Sequence, residues 1–315
     1  MQKEYNDIGI VFPGQGSQYV GMGKEIYESS SLAREVFDKA VQVLGTDLKS
    51  LCFNGPEDEL TLTFNAQPAI LTHSIAVYKE LMERVKLTPA MFAGHSLGEY
   101  SALVAAGALR FEDALLLVRN RGLYMQSAVP PGAGAMAAII GFDIGKIREI
   151  IESTKRDEVL EIANHNSPEQ IVISGNAGAI DRCIEELKRA GAKRCIKLNV
   201  SAPFHCSLMK PAARKLSEDL KKVNFSVMHT PVVTNVGARI IIDSEEFRTV
   251  LAEQVVSPVQ WVDCVRTMLN EGVKKFIEIG PGRVLSGLIK RLDKNLTVVN
   301  IEKPDDIAPA LEVIG

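Results

Sequence analysis

The sequence is poor in the features that would mark it as secreted, membrane-bound or basic. Its five cysteines, Cys52, Cys183, Cys195, Cys206 and Cys264, are scattered and odd in number, with no CxxC pair among them. That argues against a disulfide framework and a zinc site, and leaves reduced, mostly buried thiols. No apolar stretch reaches the roughly 18–20 residues that a membrane-spanning helix needs. The first residues, Met1-Gln2-Lys3-Glu4-Tyr5, lack the basic start and apolar run of a signal peptide, so a cytoplasmic protein with no membrane partner is expected. A basic excess is missing too. The net charge of −3 argues against a nucleic-acid partner or an anionic membrane surface. There is no internal repeat and no low-complexity segment.

What remains is an ordinary globular composition, 46% hydrophobic and 24% charged over 315 residues. That length suits one large domain with an insertion, or two domains, with a core that needs no disulfide. Residues 8–12 form a short apolar run ending in Pro13-Gly14-Gln15-Gly16, which predicts a buried strand and a tight turn. Helical spacing covers 24–44, 68–85, 99–106 and 111–127, and a strand over 90–93 runs straight into Gly94 and Ser96. From about residue 133 the pattern predicts strand 135–140, helix 144–153, strands 159–163 and 170–174, helix 177–190 and strand 194–198. That order is the split βαβ, or ferredoxin-like, unit. Helix 211–222, strand 231–235, helix 259–271 and strand 275–279 follow. The expected fold is α/β, a mainly parallel sheet flanked by helices, with an inserted βαββαβ subdomain. The expected division is 1–131 with 200–315 as the catalytic domain and 132–199 as the insertion.

Gly94-His95-Ser96-Leu97-Gly98 fits G-x-S-x-G, the strand-turn-helix elbow that lifts a serine above a sheet edge. The glycines matter because side chains two residues either side of the serine would collide across so tight a turn. A serine hydroxyl needs an adjacent base. His73 lies in a helix and His229 just before Pro231, which suits structural or surface roles. His165, in Asn164-His165-Asn166, is read as part of a polar loop, and His95 as pointing away from Ser96 toward substrate. His205 closes a loop late in the chain and fits the Ser-then-His order of hydrolase-like sites. Asp113, Asp143, Asp157 and Asp181 fall at helix starts or exposed positions, so no acid is assigned and a Ser96–His205 dyad is expected. The oxyanion hole is expected from the N–H groups of Leu97 and Gln15. A dinucleotide reading of Gly14 and Gly16 fails because position 19 is Tyr19.

These residues resemble a known family, the malonyl-CoA:acyl-carrier-protein transacylases of fatty-acid and polyketide synthesis. The resemblance runs over nearly the whole chain. It rests on Pro13-Gly14-Gln15-Gly16-Ser17-Gln18, the elbow extended through Glu99-Tyr100, Arg121-Gly122 with Met125-Gln126, and Asn166-Ser167-Pro168. The His205 segment, 254–261 and Gly280-Pro281-Gly282-Arg283-Val284-Leu285 complete it. It implies a hydrolase-like body with a ferredoxin-like insertion, Ser96 as nucleophile, His205 as base, and Gln15 and Leu97 as oxyanion donors. It further implies that Gln254 orients His205 through its backbone carbonyl and that Arg121 clamps the malonyl carboxylate. Arg119 lies in the same predicted helix, and the pattern alone does not choose between the two. Gln67, His95, Asn166, Phe204, Met125 and Val284 are implied as substrate-binding, with Phe204 restricting the malonyl α-carbon.

The implied partners are malonyl-CoA and an acyl carrier protein bearing phosphopantetheine, with a monomeric enzyme and no metal or cofactor. Lys188, Arg189, Lys193 and Arg194 form a basic cluster that would suit an acidic carrier. Two other classes stay open. A serine esterase or thioesterase shares the elbow but needs no carboxylate clamp, and a carrier-docking module needs no chemistry. A trans-acting polyketide acyltransferase would share every motif.

Overall fold

In the computed structural model, backbone is described for residues 3–85, 87–200 and 202–314, with side chains from Asp7 onward. Ile8, Ile10, Val11 and Phe12 are all fully buried, so both faces of their strand are covered, as in the middle of a parallel sheet. Numbered along the chain, the strands are β1 (Lys3–Phe12), β2 (Leu87–Gly94), β3 (Gly134–Ile140), β4 (Leu160–Ser167) and β5 (Gln170–Asn176). They continue as β6 (Arg194–Lys197), β7 (Val232–Val233), β8 (Ile240–Ile241), β9 (Lys275–Ile279) and β10 (Thr297–Ile301).

Six strands form one sheet in the order β10-β9-β1-β2-β7-β8, parallel throughout except for β8. Alternation sends Ile10 and Phe12 to one face, against the helices Thr63–Arg84, Gly98–Ala105 and Phe111–Gln126. It sends Val11 to the other, against Trp261–Asn270 and Val284–Leu292. The remaining strands form a second, antiparallel sheet in the order β4-β5-β3-β6. The helices Ile144–Thr154 and Ala177–Arg189 cover one of its faces, where Ile139, Ile147, Ile173 and Leu187 pack together. Its other face, with Met136, Ala138 and Val172, joins the main core.

Several elements depart from the sequence pattern. The helix expected over 24–44 is two, Lys24–Ser29 and Ser31–Leu44, because Ser30 is extended and its side chain caps the Ala33 amide. The helix expected from 68 starts at Thr63, with Pro68 inside it. Proline leaves the carbonyl four residues back without its donor, and Arg119 Nη1 supplies one to Phe64 O at 2.9 Å. The strand expected over 231–235 is only Val232–Val233, and Val259 bridges Asn164 instead of starting a helix. His165 lies in strand β4, not in a loop. The helices Leu48–Asn54, Phe247–Gln254, Val284–Leu292 and Pro304–Ile314 and the strand β10 are short, and periodicity does not reveal them. No helix among the described residues is long and apolar enough to cross a membrane.

Candidate active site

Strand β2 ends at Gly94 beside Phe12 of β1, so the turns that follow the two strands emerge side by side. Ser96 heads the helix Gly98–Ala105 with φ of 51°, a left-handed conformation that strains a serine. The flanking glycines allow it. A Cβ on Gly94 would sit 1.9 Å from the Gly98 carbonyl carbon, and one on Gly98 would sit 2.1 Å from Phe12 O. Asn235, fully buried, staples the turn: Ser96 N donates to its Oδ1 at 2.6 Å, and its Nδ2 donates to Gly94 O at 2.6 Å.

His205 Nε2 lies 2.8 Å from Ser96 Oγ, and its Nδ1 lies 2.9 Å from the backbone carbonyl of Gln254. A carbonyl can only accept, so Nδ1 carries the proton and Nε2 presents its lone pair to the serine. Burial first, and then the charge of Arg121, push the His205 pKa down to about 3. The imidazole is therefore neutral, as a base must be. The turn after it is tied to the second sheet, where Glu161 accepts from Ser207 N at 2.9 Å and from Ser207 Oγ at 2.6 Å.

The two arginines of the helix Phe111–Gln126 part company. Two residues apart on a helix, they face nearly opposite directions. Arg119 goes to Phe64 O and Asn65 Oδ1. Arg121, 2% exposed, reaches the nucleophile: its Nη2 donates to Ser96 Oγ and Gln254 Oε1, both at 2.9 Å, and its Nη1 to Gln67 Oε1 at 2.8 Å. The guanidinium also lies 5.7 Å from the Tyr100 ring centroid. Among the described residues its hydrogen bonds go to uncharged groups, so no carboxylate touches this buried cation directly.

A cavity of about 230 Å³ opens at this point, lined by Gln15, His95, Ser96, Leu97, Arg121, Met125, Asn166, Phe204 and His205. Met136 and Val172 of the second sheet, with Leu198 just after β6, close it. Among the described residues, neither the Gln15 nor the Leu97 amide has a protein acceptor, and both residues face the cavity. His95 bonds Asn166 Oδ1 through Nε2 at 2.8 Å and packs near Trp261. The alternation of β4 turns Asn164 and Asn166 toward the cavity and His165 away from it.

Two of the residues implied as substrate-binding lie off the cavity wall. Val284 is 48% exposed at the first position of its helix. Gln67 is 1% exposed and bears on the cavity through Arg121, from whose Nη1 it accepts. Asn235, Glu99 and Glu161 were not legible as site residues. Asn235 and Glu161 stand far along the chain from their partners, and only Glu99 adjoins the elbow motif. The basic cluster Lys188, Arg189, Lys193 and Arg194 is exposed where a helix ends and β6 begins, and β6 leads directly into Leu198 of the wall.

Residues 10–310 match the family model of the acyl transferase domain. The malonyl CoA-acyl carrier protein transacylase of Bacillus subtilis (strain 168) is 48% identical over 308 residues, covering 98% of this chain and 97% of its own. Among solved structures, the malonyl CoA-acyl carrier protein transacylase from Coxiella burnetii aligns with a TM-score of 0.96 at 40% identity, covering 98% of each chain. A malonyl-transacylase in complex with a type II PKS acyl-carrier protein gives 0.95 at 42% identity, covering 97% of this chain and 99% of the other. The likeness holds in sequence and in fold from one end of the chain to the other, and on it the chain belongs to the acyl transferase family, among its malonyl CoA-acyl carrier protein transacylases.

Proposed function

We propose that this chain transfers the malonyl group of malonyl-CoA to the phosphopantetheine thiol of an acyl carrier protein, supplying fatty-acid synthesis. In this reading it is a cytoplasmic monomer, with residues 132–199 as a ferredoxin-like subdomain inserted between 1–131 and 200–315. The names of its relatives support the reaction and the substrate. The carrier as partner is supported by the relative seen in complex with one.

The chemistry follows from the geometry. Ser96 Oγ attacks the thioester carbonyl while His205 Nε2 takes its proton. The Gln15 and Leu97 amides stabilise the oxyanion. His205, held by the Gln254 carbonyl, then protonates the departing CoA thiol. The malonyl-serine is attacked in turn by the carrier's thiol, deprotonated by the same imidazole, and Ser96 is regenerated. Arg121 binds the free carboxylate in two parallel charge-assisted bonds, which a guanidinium fork matches. Phe204, with Met125, Asn166 and His95, forms the wall around the acyl chain. Every step uses the chain's own side chains and amides, so no metal or cofactor is part of the proposal.

The observation that carries the substrate is the buried guanidinium 2.9 Å from the nucleophile. Arg121→Ala should lower malonyl transfer on the order of 10²-fold or more, since an unpaired buried charge costs roughly 3 kcal/mol. Transfer from acetyl-CoA, which has no carboxylate, should not fall in step. Equal losses for the two acyl groups would favour a plain esterase-like site. A polyketide carrier as acceptor is the second reading, favoured by the relative in complex with one, and rates with the two carrier types side by side decide between them.

A further inference from the structure

The proposed transfer leaves one carboxylate at the site unused. Glu99, fully buried, stands in the first turn of the helix Gly98–Ala105, behind the nucleophile. Its Oε2 accepts from Gln254 Nε2 at 2.9 Å and from Asn235 N at 3.0 Å. Its Oε1 has no partner among the described residues. Gln254 is a bridge between two charges: its Nε2 faces Glu99 and its Oε1 accepts from Arg121 at 2.9 Å. A carboxylate only accepts and a guanidinium only donates, so this orientation of the amide satisfies both.

We propose that Glu99 is the resident counter-charge of Arg121, balancing it through Gln254 while the pocket is empty and taking up a proton at Oε1 when an acyl carboxylate replaces it. The inference rests on the malonyl-transfer reading, because only a carboxylated acyl group makes the exchange. One negative charge enters and one is neutralised, so the buried charge of the site is unchanged. The proton comes from solvent and lands on the oxygen that has no partner. Oε2 goes on accepting from Gln254 and Asn235, so the hydrogen bonds survive the exchange.

The environment suits such a proton. Burial pushes the Glu99 carboxyl up to about 7, against the lowering effects of Asn235, Gln254 and Arg121. The other titratable groups around it are Tyr100 on its own helix and Cys264 on Trp261–Asn270, and burial raises both, keeping them neutral. His205 is joined to it through Gln254, and more distantly through Asn235 and Ser96. Bringing a further negative charge to Arg121 raises the Glu99 pKa again, so binding near neutral pH must draw in a proton.

Calorimetry in buffers of different ionisation enthalpy measures that proton directly. Ser96→Ala binds without reacting, and acetyl-CoA serves as the control for protons exchanged by the CoA phosphates. At pH 7.5, malonyl-CoA should take up about half a proton more than acetyl-CoA. Adding Glu99→Gln should abolish the difference. An equal proton count for the two ligands, or a difference that survives Glu99→Gln, overturns the proposal. Should the double variant not fold, the wild type answers by its pH profile: the ratio of kcat/KM for malonyl-CoA over acetyl-CoA should fall as pH rises through about 7. A flat ratio overturns the proposal as well. A wild type that transfers no malonyl at any pH would instead sink the malonyl reading itself.

Discussion

His73, 1% exposed, hydrogen-bonds the Glu302 carbonyl through Nε2 at 2.9 Å, and burial lowers its pKa. The same cause lowers His95, His165 and His205 from the ordinary 6.5. Below that pH the unfolded chain binds protons that the folded chain refuses, so this share of stability is present above 6.5 and is lost as pH falls toward the folded values. Glu99 and Glu278 act in the opposite sense, because burial raises both from 4.5 and the folded state holds their protons longer. Four histidines outweigh two carboxylates, and Glu80 and Asp219, both lowered, add to the acid loss. The urea midpoint, followed by the fluorescence of the buried Trp261, should be lower at pH 5 than at pH 7.5. A midpoint that holds or rises would contradict this. At this scale the serine was legible because its glycines are its chain neighbours. Asn235 was not, since its tie to Ser96 depends on tertiary placement, which no local pattern records.

The elbow is one element made of two glycines, a strained serine and a remote staple. At Gly94 the obstruction to a side chain is backbone, 1.9 Å away, and backbone there cannot yield. Gly94→Ala should therefore destabilise by about 3 kcal/mol or more. Gly107 is the comparison, with φ of 77° and nothing within 4 Å, so Gly107→Ala meets only the conformational penalty of about 1 kcal/mol. Urea unfolding of the pair tests this, and similar losses would show that close approach is not the reason for Gly94. Long helices and buried strands were legible from periodicity. The interruption at Ser30 was not, because a single extended residue hardly disturbs a helical pattern. The start at Thr63 was hidden by Pro68, whose missing hydrogen bond is made good by an arginine on another helix.

At the scale of the whole molecule, the site lies at the carboxyl ends of the adjacent parallel strands β1 and β2. From β1 the chain runs outward through β2 and β7, then returns to place β9 on the other side of β1. The crevice at the carboxyl ends of such strands is the standard place for a ligand in an open α/β sheet. The second sheet then closes the crevice, with Met136 from β3, Asn166 from β4 and Val172 from β5. Alternating strands and helices made the sheet legible, and the βαββαβ order marked the second one. The meeting of the two sheets over Ser96 was not legible, since contacts between distant segments leave no periodicity.

The central claim is that Ser96 carries the malonyl group between donor and acceptor. Intact-mass measurement after mixing with malonyl-CoA tests it most directly. The wild type should gain the mass of one malonyl group and lose it on adding a carrier protein with a free phosphopantetheine thiol, while Ser96→Ala should gain nothing. A label that persists in Ser96→Ala, or a wild type that never takes one, would contradict the account.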